Sequence, residues 1–121
     1  MSIYQAIILD HFKNPRNWGT LPHPTTSVTV DNPLCGDKIR MDIELKNDKV
    51  SSIKFSGDGC AISKASASLL SEYMKGKERK SLINLDKEFM IKLIGIEVGV
   101  NRLKCLLLPL EALHKALHVN G

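Results

Sequence analysis

The chain has 121 residues, a formal net charge of +4, and ordinary globular shares of hydrophobic (43%) and charged (25%) residues. This length predicts one domain spanning residues 1–121. No apolar run reaches the roughly 18 residues of a membrane span, and the N-terminus lacks the basic and apolar regions of a signal peptide. A cytoplasmic protein with no membrane contact is therefore expected.

The basic charge raises the question of nucleic-acid binding. Lysines and arginines are scattered, and their densest run, at residues 75–80, is typical of a solvated connector after a helix. Aromatic residues make up only 5% of the chain, so platforms for base stacking are scarce. We expect no nucleic-acid partner, although a docking surface for an acidic protein stays open as an alternative.

The first half of the chain predicts one helix followed by three strands. Apolar spacing over residues 3–12 is typical of a short amphipathic helix, which Pro15 and Gly19 end. β-Branched or alternating segments predict strands over residues 25–30, 37–45 and 49–56. Asn47 and Asp48 predict a tight hairpin turn between the last two strands.

The second half predicts helices. One helix begins at Ala61 and ends at Gly76, and Asp86 caps a shorter one. A last helix is expected to begin near Cys105, because Pro109 would then lie in its first turn. The resulting fold class is α+β, a small three-stranded antiparallel sheet with helices packed on one face.

The chain has three cysteines, an odd number, and the expected compartment is reducing. A structural disulfide framework is therefore not expected. Cys35 lies in a loop, and the predicted elements put Cys60 and Cys105 at helix N-termini. There the positive end of the helix dipole would stabilise a thiolate. Asp37, two residues after Cys35, can supply a carboxylate oxygen.

Three thiolates and one carboxylate suit zinc, or one edge of an iron–sulfur cluster. The chain has no Cys-x-x-Cys pair, however, and the gaps between cysteines are long. Spacing alone leaves two alternatives open, a shared site and three unrelated buried cysteines. His114 and His118 share a helix side at a spacing that metals use, yet are expected to be surface residues.

Four motifs, in order, carry a resemblance to a known family: residues 10–17 (DHFKNPRN), 32–37 (NPLCGD), 57–66 (GDGCAISKAS) and 102–105 (RLKC). Together they resemble the U-type iron–sulfur scaffold family, which comprises the IscU and SufU proteins and the N-terminal domain of NifU. The match runs in register over nearly the whole chain. The fold that it implies, of the SufE/NifU-like kind, agrees with the fold predicted from the pattern.

The resemblance implies that Cys35, Asp37, Cys60 and Cys105 are the ligands of zinc or of an iron–sulfur cluster, [2Fe-2S] rather than [4Fe-4S]. It implies a cysteine desulfurase as the sulfur donor and apo-proteins or carriers as cluster acceptors, with a transient homodimer as a further expectation. The protein would then not be a conventional enzyme. At most it would be a sulfurtransferase-type sulfur acceptor.

The chain departs from both branches of that family. The residue before the third cysteine is Lys104, where the IscU branch has histidine, and the motifs around Cys60 and Cys105 look like SufU. The interval between those cysteines has no room for the usual SufU insertion. The Leu-Pro-Pro-Val-Lys segment by which IscU engages a chaperone is missing, so that partner is not expected.

Persulfide acceptance is the predicted chemistry, with Cys35 as the sulfur acceptor and with Asp37 and Cys105 in the same reactive site. Three functions stay open. The first is a scaffold on which clusters are built and handed on. The second is a zinc-dependent sulfur carrier that holds no cluster. The third is a zinc-stabilised interaction domain.

Overall fold

A computed structural model describes residues 2–33 and 36–118. The elements are, in order, α1 (Ile3–Lys13), β1 (Thr26–Asn32), β2 (Asp37–Lys46), β3 (Lys49–Asp58), α2 (Ala61–Met74), α3 (Arg79–Leu82), α4 (Lys87–Ile94) and α5 (Val100–His118). This order confirms the predicted α+β class, and α3 is a short helix that the sequence pattern did not predict. None of the described helices is long and apolar enough to cross a membrane.

The three strands form one antiparallel sheet in the order β1-β2-β3. Asn47 and Asp48 join β2 to β3 with positive φ angles of 55° and 64°. Two consecutive left-handed residues are the geometry of a tight hairpin turn, and asparagine and aspartate tolerate it better than most residues. The predicted hairpin is confirmed.

Alternation along β2 decides which face of the sheet meets the helices. Ile39, Met41 and Ile43 are fully buried in the main core together with apolar residues of α2 and α5. Asp42 points to the other face, yet it is also fully buried. The loop that follows α1 covers it, because the N–H of Leu21 donates to the Asp42 carboxylate at 3.0 Å.

The outer edge of β3 is bonded to two other segments. The N–H of Phe55 donates to the carbonyl of Asn17, and the N–H of Gly19 donates to the carbonyl of Phe55, both at 2.9 Å. Near the start of β3, the N–H of Val50 donates to the carbonyl of Lys77 at 2.9 Å. Both ends of this edge strand are therefore engaged by the chain's own backbone.

Helix α1 begins at a capping box in which Ser2 and Gln5 satisfy each other's backbone N–H groups. Its apolar residues are spaced as predicted, but only Ile8 is buried. Ile3 and Tyr4 on the same helix are 72% and 51% exposed. The helix contacts α2 through a narrower stripe than its composition suggests.

The prediction for the last helix was wrong at its start. α5 begins at Val100, so Cys105 lies inside the helix and Pro109 is an interior residue. A proline there has no N–H to donate to the carbonyl of Cys105, four residues earlier. The helix continues because its inner face, including Leu106, Leu110 and Leu113, is buried against the sheet and α2.

Candidate metal centre

Side chains from three elements meet at one end of the sheet. Asp37 begins β2, Cys60 precedes α2, and Cys105 lies in the second turn of α5. One ligand atom from each of the three lies within 4.8 Å of the other two. Residues far apart in sequence therefore form one cluster, and the alternative of unrelated buried cysteines is wrong for Cys60 and Cys105.

Asp37 is 5% exposed, and its Oδ2 atom is buried without a hydrogen-bond partner. A buried carboxylate oxygen that lacks a donor is costly, since it loses water and gains nothing in return. A cation bound between Asp37 and the two sulfur atoms would supply the missing interaction. Two thiols and a carboxylate are ligand types that zinc binds, so these residues fit a zinc ion.

Cys60 is the N-cap residue of α2, which confirms its predicted place at a helix N-terminus, and its side chain is half-buried. Its own side chain caps no backbone N–H. The Sγ atom instead lies 3.8 Å from the Oγ atom of Ser63, one turn into the helix. The sulfur atom therefore lies at the positive end of the helix dipole.

Cys105 differs from its predicted setting. It is 4% exposed and lies within α5, so the expected stabilisation by a helix N-terminus is absent. Burial, followed by the hydrogen bonds and charges of Cys60 and Asp37, raises the pKa of the Cys105 thiol well above its ordinary value. Because Cys105 is buried inside the helix, a bound cation would be needed to hold its sulfur as a thiolate.

Cys35, the fourth predicted ligand, lies outside the described residues. The chain on either side is described: Pro33 follows β1 and Gly36 precedes Asp37. Gly36 has a φ of +77°, a left-handed conformation that favours glycine.

The aromatic and histidine residues Trp18, His11, His114 and His118 are not among the residues grouped at the site. Trp18 packs edge-on against Phe55 of the sheet, with 5.4 Å between ring centroids. His11 shares a hydrogen bond of 2.7 Å with Ser68. His114 and His118 face each other on α5, with 6.0 Å between ring centroids, and are not among the residues grouped at the site.

Sequence reasoning missed Ser63, which lies beside the site. Ser63 is fully buried and contacts the sulfur of Cys60. Gly59 lies against Ser63, because a Cβ atom at position 59 would collide with the Ser63 hydroxyl oxygen. The available signal was a small polar residue three positions after Cys60 on a helix, where i and i+3 side chains meet.

A groove of about 440 Å³ lies between the end of β1 and α5. It is lined by Asp31, Asn32, Pro33, Lys104, Leu107 and Glu111. Lys104 is exposed on its rim, directly before the buried Cys105.

The sequence profile of the NifU-like N-terminal domain matches residues 3–119. The chain belongs to this family. The match confirms the resemblance seen in the four motifs, and it covers every element of the fold.

Named relatives fall in both branches of the family. The zinc-dependent sulfurtransferase SufU of Bacillus subtilis is 37% identical, over 94% of this chain and 88% of the relative. The iron–sulfur cluster assembly scaffold protein IscU 1 of Archaeoglobus fulgidus is 31% identical, over 95% of this chain and 74% of the relative. The crystal structure of the SufU protein of Fervidobacterium islandicum AW-1 has a TM-score of 0.79 at 26% identity, covering 97% of this chain and 96% of that one.

The two alignments differ in length. The alignment with Bacillus SufU extends over 131 positions but takes only 94% of this chain, so that relative carries extra residues. The alignment with Archaeoglobus IscU 1 takes 115 positions and 95% of this chain. The chain thus has higher identity to the SufU relative and a length closer to the aligned part of the IscU relative.

Proposed function

We propose that this chain is an iron–sulfur cluster assembly scaffold of the IscU and SufU type, which accepts sulfur from a cysteine desulfurase. The observation that carries the proposal is the convergence of Asp37, Cys60 and Cys105 within 4.8 Å, with an unpartnered buried carboxylate oxygen among them. Membership of the NifU-like N-terminal domain family supports the same conclusion.

The proposed ligand set is Cys35, Asp37, Cys60 and Cys105. Zinc bound there would hold the thiols as thiolates and keep them reduced and in place. An iron–sulfur cluster, [2Fe-2S] in our proposal, is the cargo that is assembled and passed to apo-proteins or carriers. The thiol-rich site suits a reducing cytoplasm, and residues 1–121 would act as one domain.

The sulfur transfer is a thiol–disulfide exchange. The Cys35 thiolate attacks the terminal sulfur of the desulfurase persulfide, and a new S–S bond forms on Cys35. The S–S bond within the desulfurase persulfide breaks, and its electron pair leaves on the desulfurase cysteine as a thiolate. One sulfur atom changes carrier, and no external oxidant or reductant is required.

The decisive experiment gives the purified protein iron, cysteine and a matched desulfurase without oxygen. A scaffold turns brown, with visible absorbance that the Asp37, Cys60 and Cys105 substitutions to alanine reduce. Cys35→Ala is expected to lose at least about tenfold in sulfur acceptance, read as labelled persulfide on the protein. Full sulfur acceptance by Cys35→Ala would contradict the assigned acceptor.

A zinc-dependent sulfur carrier is the second candidate. The name of the Bacillus SufU relative and Lys104 in place of the histidine of the IscU branch both favour it. In the same experiment a carrier stays colourless, retains zinc and stimulates desulfurase turnover. Colour and metal content therefore separate the two functions in one sample.

A further inference from the structure

Ser63 is placed against the sulfur of a proposed ligand. Its side chain is fully buried in the first turn of α2. Its Oγ atom lies 3.8 Å from Cys60 Sγ and donates to the carbonyl oxygen of Cys60 at 3.2 Å. A serine hydroxyl has one proton, so it can donate to one of these two atoms at a time.

Gly59 lies directly against this hydroxyl. A Cβ atom on Gly59 would collide with Ser63 Oγ and would lie 3.6 Å from Asp37 Cγ. The space beside the hydroxyl is therefore available only because position 59 is glycine. Ser63 therefore lies beside Cys60, and Gly59 lies close to both Ser63 and Asp37.

The hydroxyl lies within reach of both the Cys60 sulfur and the Cys60 carbonyl oxygen, so it can change its acceptor when the sulfur binds a metal. A protonated Cys60 donates weakly to Ser63 Oγ, as the present geometry allows. A metal-bound thiolate has no proton to donate and is a strong acceptor, so rotation of the O–H toward sulfur forms a charge-assisted bond. The carbonyl bond given up is a long neutral one within the same turn.

On the basis of the proposed function, we propose that Ser63 is a positioning residue that donates its hydroxyl to the Cys60 thiolate in the metal-bound protein. It orients the sulfur lone pairs and offsets part of the negative charge on the ligand. Hydrogen bonds from groups around metal ligands are typically worth about 10- to 100-fold in metal affinity.

Helix α2 provides a matched control. Ser66 is also fully buried and donates to a backbone carbonyl three residues earlier, at 3.1 Å, but that carbonyl belongs to Ser63. Ser66→Ala removes the same kind of helical hydrogen bond without touching a cysteine. Any difference between the two alanine variants then reports on the sulfur contact.

The experiment compares wild type, Ser63→Ala, Ser66→Ala and Ser63→Thr in two measurements. The first is zinc affinity, by competition with a coloured chelator. The second is the thiolate-to-cobalt charge-transfer band of the Co²⁺-loaded protein. Ser63→Ala should bind zinc about tenfold more weakly and shift the band to longer wavelength, because the thiolate loses a donor. Ser66→Ala should change neither, and Ser63→Thr should retain the wild-type band.

Wild-type zinc affinity and an unshifted band in Ser63→Ala would overturn the role of Ser63 and leave the proposed function intact. Equal losses in both alanine variants would overturn it as well. A wild-type chain that takes up neither metal would contradict the metal site itself. Should Ser63→Ala fail to fold, Gly59→Ala displaces the same hydroxyl and should give the same shift. Its control is Gly99→Ala, where an added methyl meets open space.

Discussion

Asp37 and Asp42 lie on the same strand, and both side chains are buried. Asp42 accepts hydrogen bonds from Ser27 at 2.6 Å, from Arg40 at 3.0 Å and from the N–H of Leu21. Asp37 has a buried oxygen with no donor. Hydrogen bonds within the fold satisfy the carboxylate of Asp42, whereas the carboxylate of Asp37 suits the binding of a cation.

Alanine substitution of the two aspartates should therefore affect different properties, the stability of the fold for Asp42 and zinc binding for Asp37. In metal-free protein, Asp42→Ala should lower the free energy of unfolding by about 2–4 kcal/mol, because it leaves buried donors unpaired. Asp37→Ala should change it by less than about 1 kcal/mol, yet should weaken zinc binding at least about tenfold. Urea unfolding and zinc competition measure the two effects. Equal destabilisation by both substitutions would contradict this distinction.

Asp42 also predicts the acid limb of stability. Burial alone would raise its pKa, but hydrogen bonds from Ser27, Arg40 and Leu21 outweigh burial and hold the pKa below its usual range. The stabilisation is therefore complete above the unfolded-state pKa of about 4 and is lost as pH falls through the lower folded-state value. Unfolding curves of the metal-free protein should show this loss below about pH 4, and Asp42→Ala should show less of it.

At the scale of elements, polar side chains join α1 and its loop to α2. The N–H of Arg16 donates to Ser68 Oγ at 2.8 Å, and His11 Nδ1 shares a 2.7 Å hydrogen bond with the same oxygen. Asn17 donates to Ser71 at 2.8 Å. Burial, and after it the charge of Arg16, lower the pKa of His11, which favours the neutral ring at this contact.

Ser68→Ala should therefore lower the free energy of unfolding by about 1–3 kcal/mol, because a buried hydroxyl that bonds to two partners is lost. Ser66→Ala, which removes one bond within α2, should cost less. Urea unfolding of the two metal-free variants measures the difference. Equal losses of unfolding free energy in the two variants would show that the hydrogen bonds of Ser68 to His11 and Arg16 add nothing to stability.

The elements that sequence predicted well are those with a local cause. Asn47 and Asp48 mark the hairpin because of their own backbone preferences, and Asp86 caps α4 by accepting from the N–H of Phe89. The start of α5 was missed because Pro109 was read by its local preference for a first turn. Burial of the helix on its inner face outweighs that preference, and no local pattern reports it.

At the scale of the whole molecule, the site exists only when distant segments meet. The residues grouped there among those that the structure describes come from β2, the start of α2 and the second turn of α5. Of the residues that the motifs indicated, the structure brings Asp37, Cys60 and Cys105 together, but the motifs did not indicate how buried each one is. Burial of Cys105 and the unpartnered oxygen of Asp37 depend on packing across the fold, which residue spacing does not encode.

Zinc should consequently stabilise the whole fold. A metal that binds only the folded chain adds about 2.7 kcal/mol when its free concentration is 100 times Kd. For a chain of this size the melting temperature should rise on the order of 10 °C. Thermal scans with zinc and with a chelator measure the shift, and Asp37→Ala should lose most of it. An unchanged wild-type melting temperature would argue against a resident metal.

The bonds along the outer edge of β3 bear on how copies of this protein can meet. Strand edges with unpaired backbone groups recruit strands of other chains, which leads to open-ended association. Here Asn17, Gly19 and Lys77 already bond to that edge, and β1 at the opposite edge is short, with Ser27, Thr29 and Asp31 exposed. Contact between protomers, or with a partner, would then use side chains rather than a shared sheet. Such a contact can dissociate without breaking backbone hydrogen bonds between strands.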